Sequence, residues 1–290
     1  MEVLILGMHR SGTSLVSGII NKLGIFGGEE EALGRSGEWN PKGYWEFRKL
    51  TQANNRILAL LGKRWDRVAG IDDALFIQHG QKIASICEGL APAFAKFAEQ
   101  GDWAIKDPRM CLLLPAWRDY FRSPLAVLVV RDPVEVAISL NKRNQMPLTV
   151  GVALWEAYMR SALRHSQGMP RILVDYNALL QEPGHKIQTL HGKLAEHGVE
   201  VSAMTEEIIG FVDSALYRSR NRDLDSKALL NGRQAELYER LREESLEPGI
   251  ETVSAGGIEA LELYGKAFPE ISGWERKWLH LSKYLRRDQE

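Results

Sequence analysis

Four short stretches of this chain are apolar almost without interruption, and each ends at residues that stop a strand. Val3-Leu4-Ile5-Leu6 runs into Gly7, and Trp103-Ala104-Ile105-Lys106 is cut off by Pro108. Leu125 to Val130 leads into Arg131-Asp132-Pro133, and Arg171-Ile172-Leu173-Val174 into Asp175. Runs with no polar alternation suit strands buried on both faces, as in a parallel sheet. Between them the apolar positions recur at helical spacing. Over 12–23, Leu15, Ile19, Ile20 and Leu23 share one side and Gly24 supplies a stop; further helical patterns cover roughly 47–61, 80–99, 134–144, 149–167 and 185–197. Asp132 reads as a helix cap with Pro133 at the first helical position, where its fixed φ is favoured. Strands alternating with helices predict an α/β fold with a largely parallel central sheet flanked by helices.

Beyond Gly198 the strand signal fades. The segments 203–217, 228–246, 256–267 and 274–287 read as helices, with Leu237, Tyr238 and Leu241 forming a packed face. The expectation is one α/β domain over 1–290, with a nucleotide-binding core in 1–200 and a helical cover in 201–290, a size that single α/β domains reach.

Composition narrows the function classes. Hydrophobic residues make up 44% and charged residues 26%, which excludes a disordered or fibrous chain. Thirty-seven Lys and Arg against 38 Asp and Glu leave a formal charge of −1, so bulk charge gives no hold on nucleic acid. Two cysteines, Cys87 and Cys111, are too few for a disulfide scaffold. The apolar stretches fall well short of the ~20 residues of a membrane span. MEVLILGMHR has neither a basic leader nor a cleavage site, so a cytoplasmic location is expected.

The first candidate site is the loop Gly7-Met8-His9-Arg10-Ser11-Gly12-Thr13-Ser14, between a strand and a helix. Its spacing is that of the nucleotide phosphate loop, G-x-x-x-x-G-K-[ST]. Glycines let backbone N–H groups curl around an anion while the helix aims its positive end at it. Thr13 stands where that motif has lysine, which removes the cation an ordinary ATPase or GTPase needs, but Arg10 places another cation inside the loop.

Arg10-Ser11-Gly12-Thr13-Ser14 resembles the 5′-phosphosulfate loop of the sulfotransferase superfamily that uses 3′-phosphoadenosine 5′-phosphosulfate, in its bacterial carbohydrate and tyrosylprotein-like branch. That family has a P-loop-type α/β fold. Its second motif is a strand ending in Arg with a Ser eight positions later on a helix, the form of Val130-Arg131-Asp132-Pro133 through Ser139, and it binds the 3′-phosphate. Its adenine-contacting Tyr follows a later strand, as Tyr176 does in Asp175-Tyr176-Asn177, although the neighbours here are not Glu-Asp. The resemblance spans about residues 3–180. It implies Arg10, Ser11, Gly12, Thr13, Ser14, Arg131, Ser139 and Tyr176 as donor-binding residues.

Physical chemistry supports the second motif separately. An Arg leaving the C-terminal edge of a parallel strand points into the crevice where open α/β sheets bind ligands. Its planar fork suits a phosphate monoester, and a Ser139 hydroxyl adds a donor. An ordinary ion pair of Arg131 with Asp132 or Glu135 is the competing reading.

Sulfuryl transfer needs a deprotonated hydroxyl, in-line approach and cations at the leaving phosphate. Arg10 is one such cation. Lys106, in Ala104-Ile105-Lys106-Asp107-Pro108-Arg109, resembles the family's Lys-Asp-Pro segment and by that resemblance reaches the sulfuryl or bridging oxygen; Arg109 either pairs with Asp107 or lies near the acceptor. Asn40-Pro41-Lys42-Gly43-Tyr44-Trp45-Glu46 resembles a Gly-aromatic-aromatic-Glu segment of bacterial sulfotransferases. Glu46 is the expected base, its pKa raised by Trp39, Tyr44 and Trp45, and His9 is the rival, drawn toward imidazolium by the anion its loop wraps. Trp39, Tyr44, Trp45, Trp155 and Tyr158 are candidates for an acceptor platform, and Arg218, Arg220 and Arg222 for a basic loop, packing and solvation being the competing readings.

No metal is expected. There is no His-Glu-x-x-His, and His185, His191 and His197 fall six apart, scattered around a helix. The expected partners are the nucleotide donor and a hydroxyl-bearing acceptor such as a carbohydrate, tyrosine or small molecule. Two alternatives stand beside this reading: a P-loop small-molecule kinase improvised from Ser14 and Lys106, and a non-catalytic nucleotide-binding module.

Overall fold

The computed structural model describes residues 1–29, 33–34, 43, 45–212, 229–245 and 252–267. Four strands form one parallel sheet: β1 (Glu2–Leu6), β2 (Trp103–Lys106), β3 (Pro124–Val130) and β4 (Arg171–Asp175), in the order β2-β1-β3-β4. The register pairs Ile5 with Lys106 and with Val127, and Val130 with Asp175.

Alternation along the strands sends side chains to two cores. Leu4, Leu6, Ile105, Ala126, Leu128 and Val130 face one, and Val3, Ile5, Ala104, Leu125, Val127 and Val129 the other. The first core is covered by α2 (Arg48–Leu60), α3 (Asp73–Glu88), α4 (Ala91–Ala98), α5 (Met110–Trp117), α6 (Pro133–Asn144) and α7 (Leu148–His165). The second is covered by α1 (Thr13–Lys22), α8 (Tyr176–Gln181), α9 (Pro183–Glu196) and α10 (Glu206–Gly210). Burial on both faces explains why the strands read as unbroken apolar runs.

All four strands appear where the hydrophobic runs place them. The helices depart in several places, the short α8 directly after β4 among them. The pattern over 80–99 is two helices, α3 and α4: α3 starts early because the Asp72 carboxylate caps Leu75 N–H at 3.0 Å. Helix α5 had no periodic signal, since nearly every residue in it is buried and Pro115 lies inside it. Of 203–217, only α10 is helical among the described residues, and 274–287 lies outside them.

Helices α11 (Gly232–Arg242) and α12 (Ala255–Ala267) contribute Leu237, Leu241 and Leu261 to the first core. A buried polar cluster joins them to α7. Glu156 accepts from Arg160 Nε at 2.9 Å, Gln234 Nε2 at 2.9 Å, and Ser254 N and Oγ at 2.8 and 2.7 Å, while Arg160 also donates to the Arg233 carbonyl. A carboxylate that is fully buried needs this many donors, because removal from water without partners costs several kcal/mol. No helix among the described residues is long and apolar enough to cross a membrane.

Candidate active site

The loop after β1, Lys106 at the end of β2, Arg131 after β3 and Tyr176 after β4 all lie at the C-terminal edge of the sheet, where ligands of open α/β folds bind. The sequence places these residues far apart; the parallel register brings their strand ends level.

Two glycines shape the loop. A Cβ on Gly7 would come within 2.8 Å of the Val129 carbonyl oxygen. Gly12, at φ +87°, has the Tyr176 ring so close that a Cβ would fall 2.0 Å from it. Gly12 thus combines a left-handed backbone with a contact from the first residue of α8 that only glycine allows. Arg10 is also left-handed, at φ 71°, an uncommon state for a non-glycine residue that is concentrated at functional sites. Gly7 N–H donates to the sulfur of Cys111 at 3.1 Å, and burial pushes that thiol up to about 12, so Cys111 supports the loop as a neutral group.

Arg10 and Arg131 join the loop to α6. Arg10 Nε donates to Ser139 Oγ at 2.9 Å, and an Arg131 guanidinium nitrogen donates to the Arg10 carbonyl at 2.9 Å. The Arg131 guanidinium also lies over the Tyr176 ring, 4.8 Å from its centre, and its Nε donates to Glu135 at 3.1 Å. The competing ion pair with Glu135 is therefore present together with the predicted cluster of Arg131, Ser139 and Tyr176. Burial raises the Tyr176 pKa, against the lowering effect of Arg131, so the ring is a neutral phenol.

On the other side of the loop, Lys106 Nζ donates to Glu46 at 2.7 Å and to Ser14 Oγ at 3.1 Å. The Lys106 side chain is 1% exposed and that of Glu46 is 20% exposed, so the ammonium is enclosed while the carboxylate keeps an open edge. Glu46 follows Trp45, whose φ of 52° turns the chain just ahead of α2. Trp45 packs edge-on against Phe211. Within the loop and the first turn of α1, Ser11 and Thr13 are buried, and the Ser11 hydroxyl has no partner among the described residues.

Several expectations are corrected. His9 is held neutral, with a pKa well below its ordinary value: burial is the main cause, followed by the charges of Arg109, Lys106, Arg143 and Arg10. His9 packs against Trp65 and Tyr158 with ring centres 4.9 and 5.7 Å away, and its Nε2 is buried. Trp155 and Tyr158 are fully buried core residues rather than a platform, with Tyr158 donating to the Trp65 carbonyl at 2.7 Å. Arg109 pairs with Asp107 at 2.8 Å. Trp39, Tyr44, Arg218, Arg220 and Arg222 lie outside the described residues.

Sequence reasoning missed Asn177, which donates to Glu135 at 3.2 Å and accepts from the Asp132 N–H at 3.4 Å. Its position next to Tyr176 was the available signal. Among the described residues no group of three or more His, Cys, Asp or Glu side chains is arranged to hold a metal ion.

The sulfotransferase domain from the Synechococcus PCC 7002 olefin synthase superimposes over 91% of this chain and 94% of its own, with a TM-score of 0.42 and 15% identity. The sulfotransferase domain from the curacin biosynthetic pathway covers 91% of this chain and 96% of its own, with a TM-score of 0.43 and 14% identity. No curated protein matches. A model of the sulfotransferase family matches residues 2–195, which include the loop, Lys106, Arg131 and Tyr176. The chain belongs to the sulfotransferase family.

Proposed function

We propose that the protein transfers a sulfuryl group from 3′-phosphoadenosine 5′-phosphosulfate to an acceptor hydroxyl. One observation carries the reading: Arg10 and Arg131 are hydrogen-bonded into a single unit with Ser139, next to Tyr176. Two cations just past the ends of the adjacent strands β1 and β3 suit a ligand with two separate phosphate-type groups, and Tyr176 supplies a ring for its base. The chain's residues fit such a donor: the buried Ser11 hydroxyl is without a partner among the described residues, and Gly12 lets the Tyr176 ring pack directly against the loop.

When bound, the donor supplies a sulfuryl group attached to a phosphate that leaves as the group is transferred. Glu46 takes the acceptor's hydroxyl proton as the acceptor oxygen bonds to sulfur and the sulfur–phosphate oxygen bond breaks. Lys106 and Arg10 hold the charge that collects on the leaving phosphate. Glu46 is preferred to His9 because its carboxylate keeps an open edge, whereas the His9 Nε2 is shut away from solvent.

The position of Lys106 also bears on the kinase alternative. In P-loop enzymes the hydroxyl after the motif's lysine holds magnesium, and here an ammonium sits on that Ser14 hydroxyl. A second cation there is electrostatically unfavourable. The acceptor is a sugar, tyrosine or small-molecule hydroxyl, to be identified by screening acceptors with labelled donor. The donor is tested by calorimetry: 3′-phosphoadenosine 5′-phosphate should bind at least tenfold tighter than ADP, and turnover should survive EDTA. Equal affinities, or activity abolished by the chelator, would remove this reading.

A further inference from the structure

Helix α6 begins with an arrangement that a helix cap alone does not need. The Asp132 carboxylate already caps the Val134 and Glu135 N–H groups, at 2.8 and 3.1 Å. In a capping box the residue at the position of Glu135 would reach back to the N–H of the cap residue. Here that N–H is taken by Asn177 Oδ1 instead, at 3.4 Å. The Glu135 carboxylate is thereby released from capping, and it turns to the Arg131 guanidinium at 3.1 Å while Asn177 Nδ2 holds it at 3.2 Å. Arg131 and Glu135 side chains are 7% and 6% exposed. Three contacts thus define the guanidinium plane: Glu135 on its Nε edge, the Arg10 carbonyl on a terminal nitrogen and the Tyr176 ring on its face.

We infer that Glu135, anchored by Asn177, is a positioning residue that sets donor specificity by fixing Arg131 in the orientation that reads the 3′-phosphate. The inference rests on the proposed donor and on Arg131 and Ser139 as its 3′-phosphate ligands. It has a distinctive sign. An anion beside a phosphate site weakens attraction, so if Glu135 acted through charge alone, removing its charge would tighten binding. If it acts by orienting a planar donor fork, removal loosens binding despite the gain in net positive charge.

The test measures the affinities of the purified full chain for 3′-phosphoadenosine 5′-phosphate and for ADP, in the unmodified protein, Glu135→Ala, Glu135→Gln and Asn177→Ala. Loss of orientation should weaken 3′-phosphoadenosine 5′-phosphate about tenfold in Glu135→Ala and about threefold in the other two. ADP affinity should fall by a clearly smaller factor, because Arg131 touches the loop around the 5′-phosphates through the Arg10 carbonyl whereas its guanidinium reads the 3′-phosphate directly. Glu135→Gln and Asn177→Ala decide the matter if Glu135→Ala does not fold. Unchanged discrimination, or tighter binding in Glu135→Gln, overturns the role of Glu135 while leaving the donor reading intact. Failure of the unmodified protein to distinguish the two nucleotides overturns both.

Discussion

Lys106 and Glu46 meet at 2.7 Å although 60 positions separate them in the chain. The lysine ends β2, an edge strand of the sheet, and its side chain is enclosed, so its ammonium depends on this carboxylate and on Ser14. Glu46→Gln keeps shape and hydrogen bonding but removes basicity. Turnover should fall by about 10²–10⁴ while donor affinity persists. Because the two groups form one unit, combining Glu46→Gln with Lys106→Ala should cost much less than the two single losses together. His9→Asn should chiefly weaken donor binding. Normal turnover in Glu46→Gln beside a dead His9→Asn with full donor affinity would reverse the assignment.

Arg10 has a different dependence. Its left-handed backbone, its bond to Ser139 and the bond from Arg131 to its carbonyl hold the cation in place before any ligand arrives. Preorganised charge of this kind typically accounts for 10²-fold or more, so Arg10→Ala should lower turnover by about that factor. Thr13→Lys, which restores the nucleotide-triphosphatase sequence, should remain without ATPase activity because Lys106 still occupies the Ser14 hydroxyl. Measurable ATP hydrolysis by Thr13→Lys would show that the pocket accepts a triphosphate.

His9 also links the site to stability. Its folded-state pKa is depressed by burial, and that of His165 is depressed for the same reason. Below pH ~6.5 the unfolded chain therefore binds protons that the folded chain refuses, so stability should decline as pH falls from there toward the folded values. The slope contributed by each such group is at most about 1.4 kcal/mol per pH unit. Thermal melts between pH 7 and 5 should show the decline, and His9→Asn should flatten it while His165 keeps part. An identical acid limb in His9→Asn would mean that His9 titrates normally in the fold.

The buried pair of Glu156 and Arg160 makes a stability prediction independent of chemistry. Arg160→Met removes one partner and leaves a fully enclosed carboxylate, which typically costs about 3–5 kcal/mol. Urea unfolding should register that loss. A change below about 1 kcal/mol would mean that Gln234 and Ser254 alone satisfy the carboxylate.

Much of this protein was legible from its sequence. The strands Trp103–Lys106 and Arg171–Asp175, the glycine loop and the Asp132-Pro133 helix start depend on local burial and local caps, so nearby residues carry the information. Helix α5 was not legible, because an octapeptide with six of its eight residues buried has no clear period. The same blindness let Trp155 and Tyr158 pass for platform residues: a helical aromatic residue looks the same in sequence whether it faces a crevice or a core.

The residue types that make the site, and their order along the chain, were set by the sequence itself. Their pairing was decided by the tertiary structure. Arg10 meets Ser139 across 129 positions and Lys106 meets Ser14 across 92, contacts that exist only because parallel strands bring their C-terminal ends to one edge. The charge on His9 was decided in the same way. Desolvation and Coulomb forces sum over everything within reach in space, and Lys106, Arg109 and Arg143 reach His9 only in the folded chain.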